Sequence, residues 1–170
     1  MKRRHAIGAL AAAAAAPAWW AEAAAGPAAP GQAVVWPEVA LLDGGRFGAA
    51  QVAGRALVVV FWSTTCPYCR RHNQHVEKLH RAAAGHRLAV LGVASERDAA
   101  AVRRHAGQQG YTFPITTDHA PLAAALSARR IIPLTVTIDR AGRLHQVIPG
   151  EMFEDDVLGL LPWADKEVRV

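Results

Sequence analysis

The two cysteines of this 170-residue chain stand together as Cys66-Pro67-Tyr68-Cys69. They lie between an unbroken apolar run, Leu57-Val58-Val59-Val60-Phe61-Trp62, and a stretch patterned as a helix, and a second apolar run, Leu88 to Val93, follows. Short apolar runs without alternation are strands covered on both faces. Two of them joined by a helix make one βαβ unit over residues 57–93 with a right-handed crossover. That topology pins the cysteine pair to a strand-to-helix junction. Sulfurs one helical turn apart close a disulfide with little backbone movement, and the first sits at the positive end of the helix, where a thiolate is favoured. A single cysteine pair in an exported chain is ordinarily a structural cross-link. A loop of two residues, however, gains far less from cross-linking than a long one. The pair therefore reads as a redox dithiol.

The chain start supports export. Met1-Lys2-Arg3-Arg4-His5 is followed by a mostly alanine run from Ala6 to Ala16, then Pro17, Trp19-Trp20 and small residues around Glu22. This is the pattern of a secretory signal, expected over residues 1–25. Arg3-Arg4 is only a weak match to a twin-arginine signal. The alternative is an uncleaved inner-membrane anchor, the one membrane contact expected, although alanine offers little apolar area per residue and Glu22 interrupts the segment. Residues 26–33, rich in Ala, Pro and Gly, are expected as a linker and 34–170 as the domain. Removing 25 of 170 residues leaves 145, enough for one domain with its own core. The net charge of +5 falls to about +3 as Lys2, Arg3, Arg4 and Glu22 leave, and no basic stripe remains, so nucleic-acid binding has no support. The expected location is the periplasm.

From Val34 the elements follow one another legibly. Val39–Leu42 reads as a short strand, Asp43–Arg46 as a turn, and Phe47 onward as a second short extended piece. After the strand at Leu57–Trp62, a helix is expected from Pro67 to about Ala84, stopping at Gly85. The strand Leu88–Val93 precedes a helix capped by Ser95 with Asp98 and ending near Gly107 or Gly110. Phe113-Pro114-Ile115 is extended. Asp118 is placed to cap a helix starting around Pro121 and ending near Arg129-Arg130. Strands Leu134–Ile138 and Arg143–Ile148 form a hairpin around Asp139-Arg140-Ala141-Gly142, and a last helix spans roughly Phe153–Leu161. The fold class is α/β: a central mixed sheet with helices on both faces and an N-terminal β-hairpin extension.

Two segments resemble one family. Phe61-Trp62-Ser63-Thr64-Thr65-Cys66-Pro67-Tyr68-Cys69-Arg70 is similar to the active-site segment of the thioredoxin superfamily, and Ile132-Pro133-Leu134-Thr135-Val136-Thr137-Ile138-Asp139 to its proline segment and following hairpin. The Pro-x-Thr-x-x-Ile-Asp-x-x-Gly form, the Leu41-Leu42-Asp43-Gly44 start and the leader are most similar to the TlpA/ResA-type branch of exported thiol–disulfide oxidoreductases. The resemblance spans about residues 34–161 and implies a thioredoxin fold, Cys66 as the attacking thiolate and Cys69 as the resolving thiol. A free thiol titrates near ~8.5, and helix N-termini in such motifs bring this to ~7 or below. The resemblance also implies a cis Ile132–Pro133 bond that turns residue 132 toward an extended substrate chain. It implies no metal or organic cofactor, only a redox-active Cys66–Cys69 disulfide. The implied partners are protein thiols and disulfides of exported proteins, with an upstream membrane electron donor. Pro67 and Tyr68 tune the potential without choosing its direction. Trp62 is either core or the wall beside Cys66.

Three positions depart from the family pattern. Val60 stands where thioredoxins carry a buried Asp, so a relay carboxylate is missing there. His72 stands where many ResA-like members have Glu, and Gln74 replaces a proline that often kinks this helix. His72, one turn from Cys69, is either the group that exchanges the resolving proton or an ordinary exposed helix histidine. Cys66, Cys69, His72 and His75 also spell a zinc-like spacing. Each three-residue step, however, falls about 60° short of a turn, which swings His75 about 120° from Cys69.

The first functional reading is an exported reductase, acting for example on apocytochromes during cytochrome c maturation or on metal-site thiols. A periplasmic oxidase or isomerase is second, and a non-enzymatic metal chaperone of similar fold third. A peroxiredoxin is excluded because Val59 breaks its cysteine signature.

Overall fold

A computed structural model of the protein describes residues 27–126 and 130–166; the leader expected over 1–25 lies outside them. The apolar runs become the two central strands. β1 (Val39–Ala40) and β2 (Arg46–Phe47) form an antiparallel hairpin, followed by the one-turn helix α1 (Ala49–Val52). β3 (Ala56–Trp62) and β4 (Leu88–Ala94) pair in parallel without a slip, from Ala56 opposite Leu88 to Trp62 opposite Ala94, and α2 (Pro67–Ala82) is their crossover. Then come α3 (Ala99–Gln109), β5 (Ile115–Thr116), α4 (His119–Leu126), β6 (Leu134–Ile138), β7 (Leu144–Pro149), α5 (Glu154–Leu158) and α6 (Leu160–Asp165). The main sheet has the order β5-β4-β3-β6-β7, with β6 antiparallel to β3 and to β7.

Every residue of β3 is buried, and its two faces feed two cores. Val58, Val60 and Trp62 pack with Val76 and Leu79 of α2, Val102 of α3 and Val157 of α5. Leu57, Val59 and Phe61 pack with Leu122 and Leu126 of α4. Period-two alternation thus divides one apolar strand between helices on opposite sides of the sheet. The expected α/β fold with its N-terminal hairpin is present.

Several local expectations are corrected. The chain after Phe47 turns helical rather than staying extended, because buried Phe47 ends the short hairpin and Gln51 caps Gly48 N–H at 2.8 Å. Asp98, not Ser95, caps α3: its Oδ1 accepts from Ala100 and Ala101 N–H at 2.9 and 3.0 Å. Asp118 spends its carboxylate on Ala40 N–H (2.8 Å), tying the hairpin to the domain, while α4 begins at His119. The expected end of α4 near Arg129 lies outside the described residues. The final helix is split at Gly159 into α5 and α6. Of the segment 26–33 expected as linker, the described part lies against the domain through Ala28 N–H to Ala125 C=O and Gly31 N–H to Leu144 C=O.

One glycine is set by packing rather than by a turn. A Cβ on Gly92, in the middle of β4, would lie 2.6 Å from a ring carbon of Phe113 and 3.1 Å from Trp62 Nε1. Both rings are buried, so neither can swing aside. Gly92→Ala is expected to cost about 1–3 kcal/mol by overpacking, measured as a lower denaturant midpoint with an unchanged slope. An unchanged midpoint would show that the ring pair has room to give.

Candidate active site

Cys66 is the N-cap of α2, with extended backbone, and Pro67 occupies the first helical position. Proline suits that position because its missing N–H would have no partner there. The Cys66 sulfur accepts from Cys69 N–H at 3.1 Å, so it faces the unpaired amides of the helix start. Cys66 and Cys69 are joined in a disulfide, with Cα atoms 5.2 Å apart. The pair is unequal. Cys69 is 0 % exposed, whereas Cys66 is half-buried. Cys66 is thus the more accessible of the two sulfurs.

The cis-proline segment before β6 is bonded to the loop after β7, and that loop to α2. Ile132–Pro133 is cis, Ile132 packs against the core cluster that contains Cys69, and Pro133 C=O accepts from Gly150 N–H at 2.8 Å. Arg71 meets Glu151 with two hydrogen bonds of 2.8 and 2.6 Å and lies over the Tyr68 ring at 5.0 Å. The Glu151 carboxyl is held below the usual carboxylate range chiefly by Arg71. Exposed apolar side chains stand on these elements: Tyr68 on α2, Ile131 before the cis bond and Phe153 at the start of α5, the last 81 % exposed.

His72 is 0 % exposed, which overturns the exposed-histidine alternative. Its Nδ1 accepts from Met152 N–H at 3.2 Å, so Nε2 carries the proton and donates to Thr135 Oγ1 at 3.0 Å. Burial, and next the neighbouring His75, push its pKa down to about 4. Thr135 lies directly opposite Val60 in the sheet. A buried polar pair, Thr135 of β6 and His72 of α2, thus lies next to Val60. His75 turns to Glu154 at 3.3 Å, on α5, and among the described residues no three His, Cys, Asp or Glu side chains gather as a metal site. Gln74 does not interrupt α2, which runs unbroken from Pro67 to Ala82.

Trp62 is fully buried, edge-on to Tyr111 at 5.9 Å, with no partner for its indole N–H among the described residues. Glu77 ties the far half of α2 to the start of β5's approach, accepting from Thr112 N–H (2.7 Å), Thr112 Oγ1 (2.6 Å) and Arg81 Nε (2.7 Å). A cleft of about 590 Å³ lined by Arg55, Gly85, Leu88 and Thr112 includes none of the site residues.

The sequence pattern did not single out Thr135, Met152, Glu151 or Glu96. Glu96 is placed by the sheet: the register that sets Trp62 opposite Ala94, continued one and two residues, brings 95 and 96 beside 63 and 64, and no local sequence signal announces it.

Comparison with known proteins agrees with this geometry. The family model described as Redoxin matches residues 25–161. Thiol-disulfide oxidoreductase ResA of Halalkalibacterium halodurans is 28 % identical over 116 residues, 68 % of this chain and 66 % of that protein. ResA of Geobacillus kaustophilus is 28 % identical over 125 residues, 71 % of each. The chain thus spans about two thirds of the length of these relatives. Among solved structures, a thiol:disulfide interchange protein of Chlorobium tepidum superposes with a TM-score of 0.73 at 24 % identity, covering 82 % of this chain and 99 % of that one. A secreted Mycobacterium tuberculosis disulfide oxidoreductase gives 0.65 at 19 % identity, covering 75 % and 95 %. The chain belongs to the Redoxin family and is a TlpA/ResA-like thiol–disulfide oxidoreductase of the thioredoxin superfamily, its redox centre built from its own cysteines.

Proposed function

We propose that this protein is exported and reduces disulfides in other exported proteins, with Cys66 attacking and Cys69 resolving. The observation that carries the assignment of roles is the unequal exposure of the two sulfurs at the start of α2, where Cys66 packs on the same core cluster as Ile132. The Cys66 thiolate attacks one sulfur of a substrate disulfide. That S–S bond breaks, a mixed disulfide forms, and the released substrate thiolate takes up a proton. Cys69 then loses its proton and attacks the Cys66 sulfur, freeing the second substrate thiol and leaving the Cys66–Cys69 disulfide. Two electrons have passed to the substrate, and an upstream membrane dithiol donor restores the pair.

Residue 132 offers backbone to an extended substrate. The exposed Tyr68, Ile131 and Phe153 favour a substrate chain with apolar side chains next to its cysteine; apocytochromes and metal-site thiols are the substrate classes proposed. His72 belongs to this reading as a neutral brace rather than as the carrier of the resolving proton, since both of its nitrogens are already engaged. It holds α2 to β6, two residues past Pro133, and to the loop before Phe153.

The test is the equilibrium reduction potential of the Cys66–Cys69 couple against a glutathione or dithiothreitol series. A value near about −270 mV is expected for a reductase, and one near about −120 mV would make the protein an oxidase instead.

A further inference from the structure

Between Trp62 and Cys66 the chain makes a turn, Ser63-Thr64-Thr65, that belongs to neither β3 nor α2. Cys66 N–H closes back on Ser63 C=O at 3.3 Å, and Thr65 N–H reaches Ser63 Oγ at 3.2 Å. The turn therefore sets where the Cys66 sulfur is presented. What holds it lies 32 residues away in sequence. One oxygen of Glu96, Oε1, accepts from Ser63 Oγ (2.7 Å), Thr64 N–H (2.7 Å) and Thr64 Oγ1 (2.8 Å). The preceding residue adds a second hold: Ser95 N–H and Oγ–H both donate to Trp62 C=O, at 2.9 and 3.1 Å.

We propose that Glu96 is a positioning residue for the redox site, fixing the Ser63–Thr65 turn through one carboxylate oxygen and so holding Cys66 where it meets the substrate sulfur. The inference rests on Cys66 being the attacking thiol. Three features favour a site function over a general contribution to the fold. The three bonds all fall on the turn that carries the nucleophile. The side chain is only half-buried, so a substantial contribution to the core is not its reason for being there. Its second oxygen, Oε2, has no hydrogen-bond partner among the described residues, so the hold of Glu96 falls wholly on the turn, whereas Glu77 uses both oxygens. Burial pushes the Glu96 carboxyl up, but the donors on Ser63 and Thr64 outweigh it and leave the group below the usual carboxylate range. It is thus ionised, and accepting only, at neutral pH.

A carboxylate that works through geometry can be replaced by a carboxamide, whose carbonyl oxygen accepts the same bonds. The experiment measures the second-order rate of mixed-disulfide formation between reduced protein and a small aromatic disulfide, in a Cys69→Ser background that stops the reaction there. Glu96→Ala is expected to slow it about tenfold or more, because small misplacements of a reacting group carry large rate penalties. Glu96→Gln is expected to remain within about threefold of the parent. Thr64→Val, which removes one bond from the turn side, should slow the reaction and add little further loss on top of Glu96→Ala. Glu77→Gln, a buried carboxylate on the far half of α2, should leave the rate unchanged whatever it does to the melting temperature.

An Ala variant within about threefold of the parent overturns the proposal, as does a Gln variant as slow as the Ala variant, which would assign the effect to charge. If the Cys69→Ser parent forms no mixed disulfide while Cys66→Ser does, the assignment of Cys66 falls first and the role of Glu96 with it.

Discussion

Cys69→Ser is expected to convert the protein from a turnover catalyst into a trap. Its single remaining thiol, Cys66, still stands at the start of α2 and still attacks a substrate disulfide, but nothing releases the mixed disulfide. Reduction of insulin or a comparable protein disulfide should fall by at least about a hundredfold, with the covalent adduct visible on a non-reducing gel. Cys66→Ser should lose activity to the same degree without the adduct, because the sulfur it leaves is 0 % exposed. The two variants together test the order of attack. Equal adduct from both would mean that the buried sulfur reaches the surface in the reduced protein.

The second large effect concerns His72 and acid. Its folded pKa of about 4 lies below the ordinary histidine value of 6.5. Between those values the unfolded chain binds a proton at this position and the folded chain does not. Stability therefore rises with pH across the window: the contribution is complete above about pH 6.5, is lost progressively toward about pH 4, and changes no further below that. A shift of this size corresponds to about 3 kcal/mol at full extent. The groups facing the ring are Thr135 on β6, Met152 N–H, His75 on its own helix and Glu151 beyond Met152. His80 is also held low, mainly by burial, and contributes with the same sign. Denaturant unfolding at pH 7, 6, 5 and 4 should show the loss in the parent. The loss should be much smaller, though not abolished, in His72→Ala, which should itself be destabilised by about 2–4 kcal/mol at pH 7 as Thr135 and Met152 N–H lose their partner. A His72→Ala variant with the parent's slope against pH would remove His72 from this account.

These two predictions draw on different kinds of knowledge. The first follows from Cys66-Pro67-Tyr68-Cys69 almost directly. A thiol at a helix start is legible from an apolar run, a proline and a following amphipathic pattern, all within about 30 residues of one another. The cis proline segment was legible through its resemblance to a family. Expectation and structure part where a side chain has two uses. Asp118 and Ser95 both look like helix caps, yet Asp118 bonds Ala40 N–H and Ser95 bonds Trp62 C=O. Capping residues offer the same hydrogen bonds to any amide or carbonyl within reach, and local spacing cannot say which one tertiary packing brings closest.

The βαβ unit and the position of its dithiol are written into consecutive residues, because strand and helix periodicities and helix-start chemistry act over short range. The environment of that dithiol is not. Thr135 meets His72 because β6 lies antiparallel to β3, and Glu96 meets Thr64 because β4 lies parallel to it in one exact register. The first contact joins residues 63 apart and the second residues 32 apart. Registers are settled by burying whole strand faces, a property of the assembled sheet that no short stretch of sequence contains.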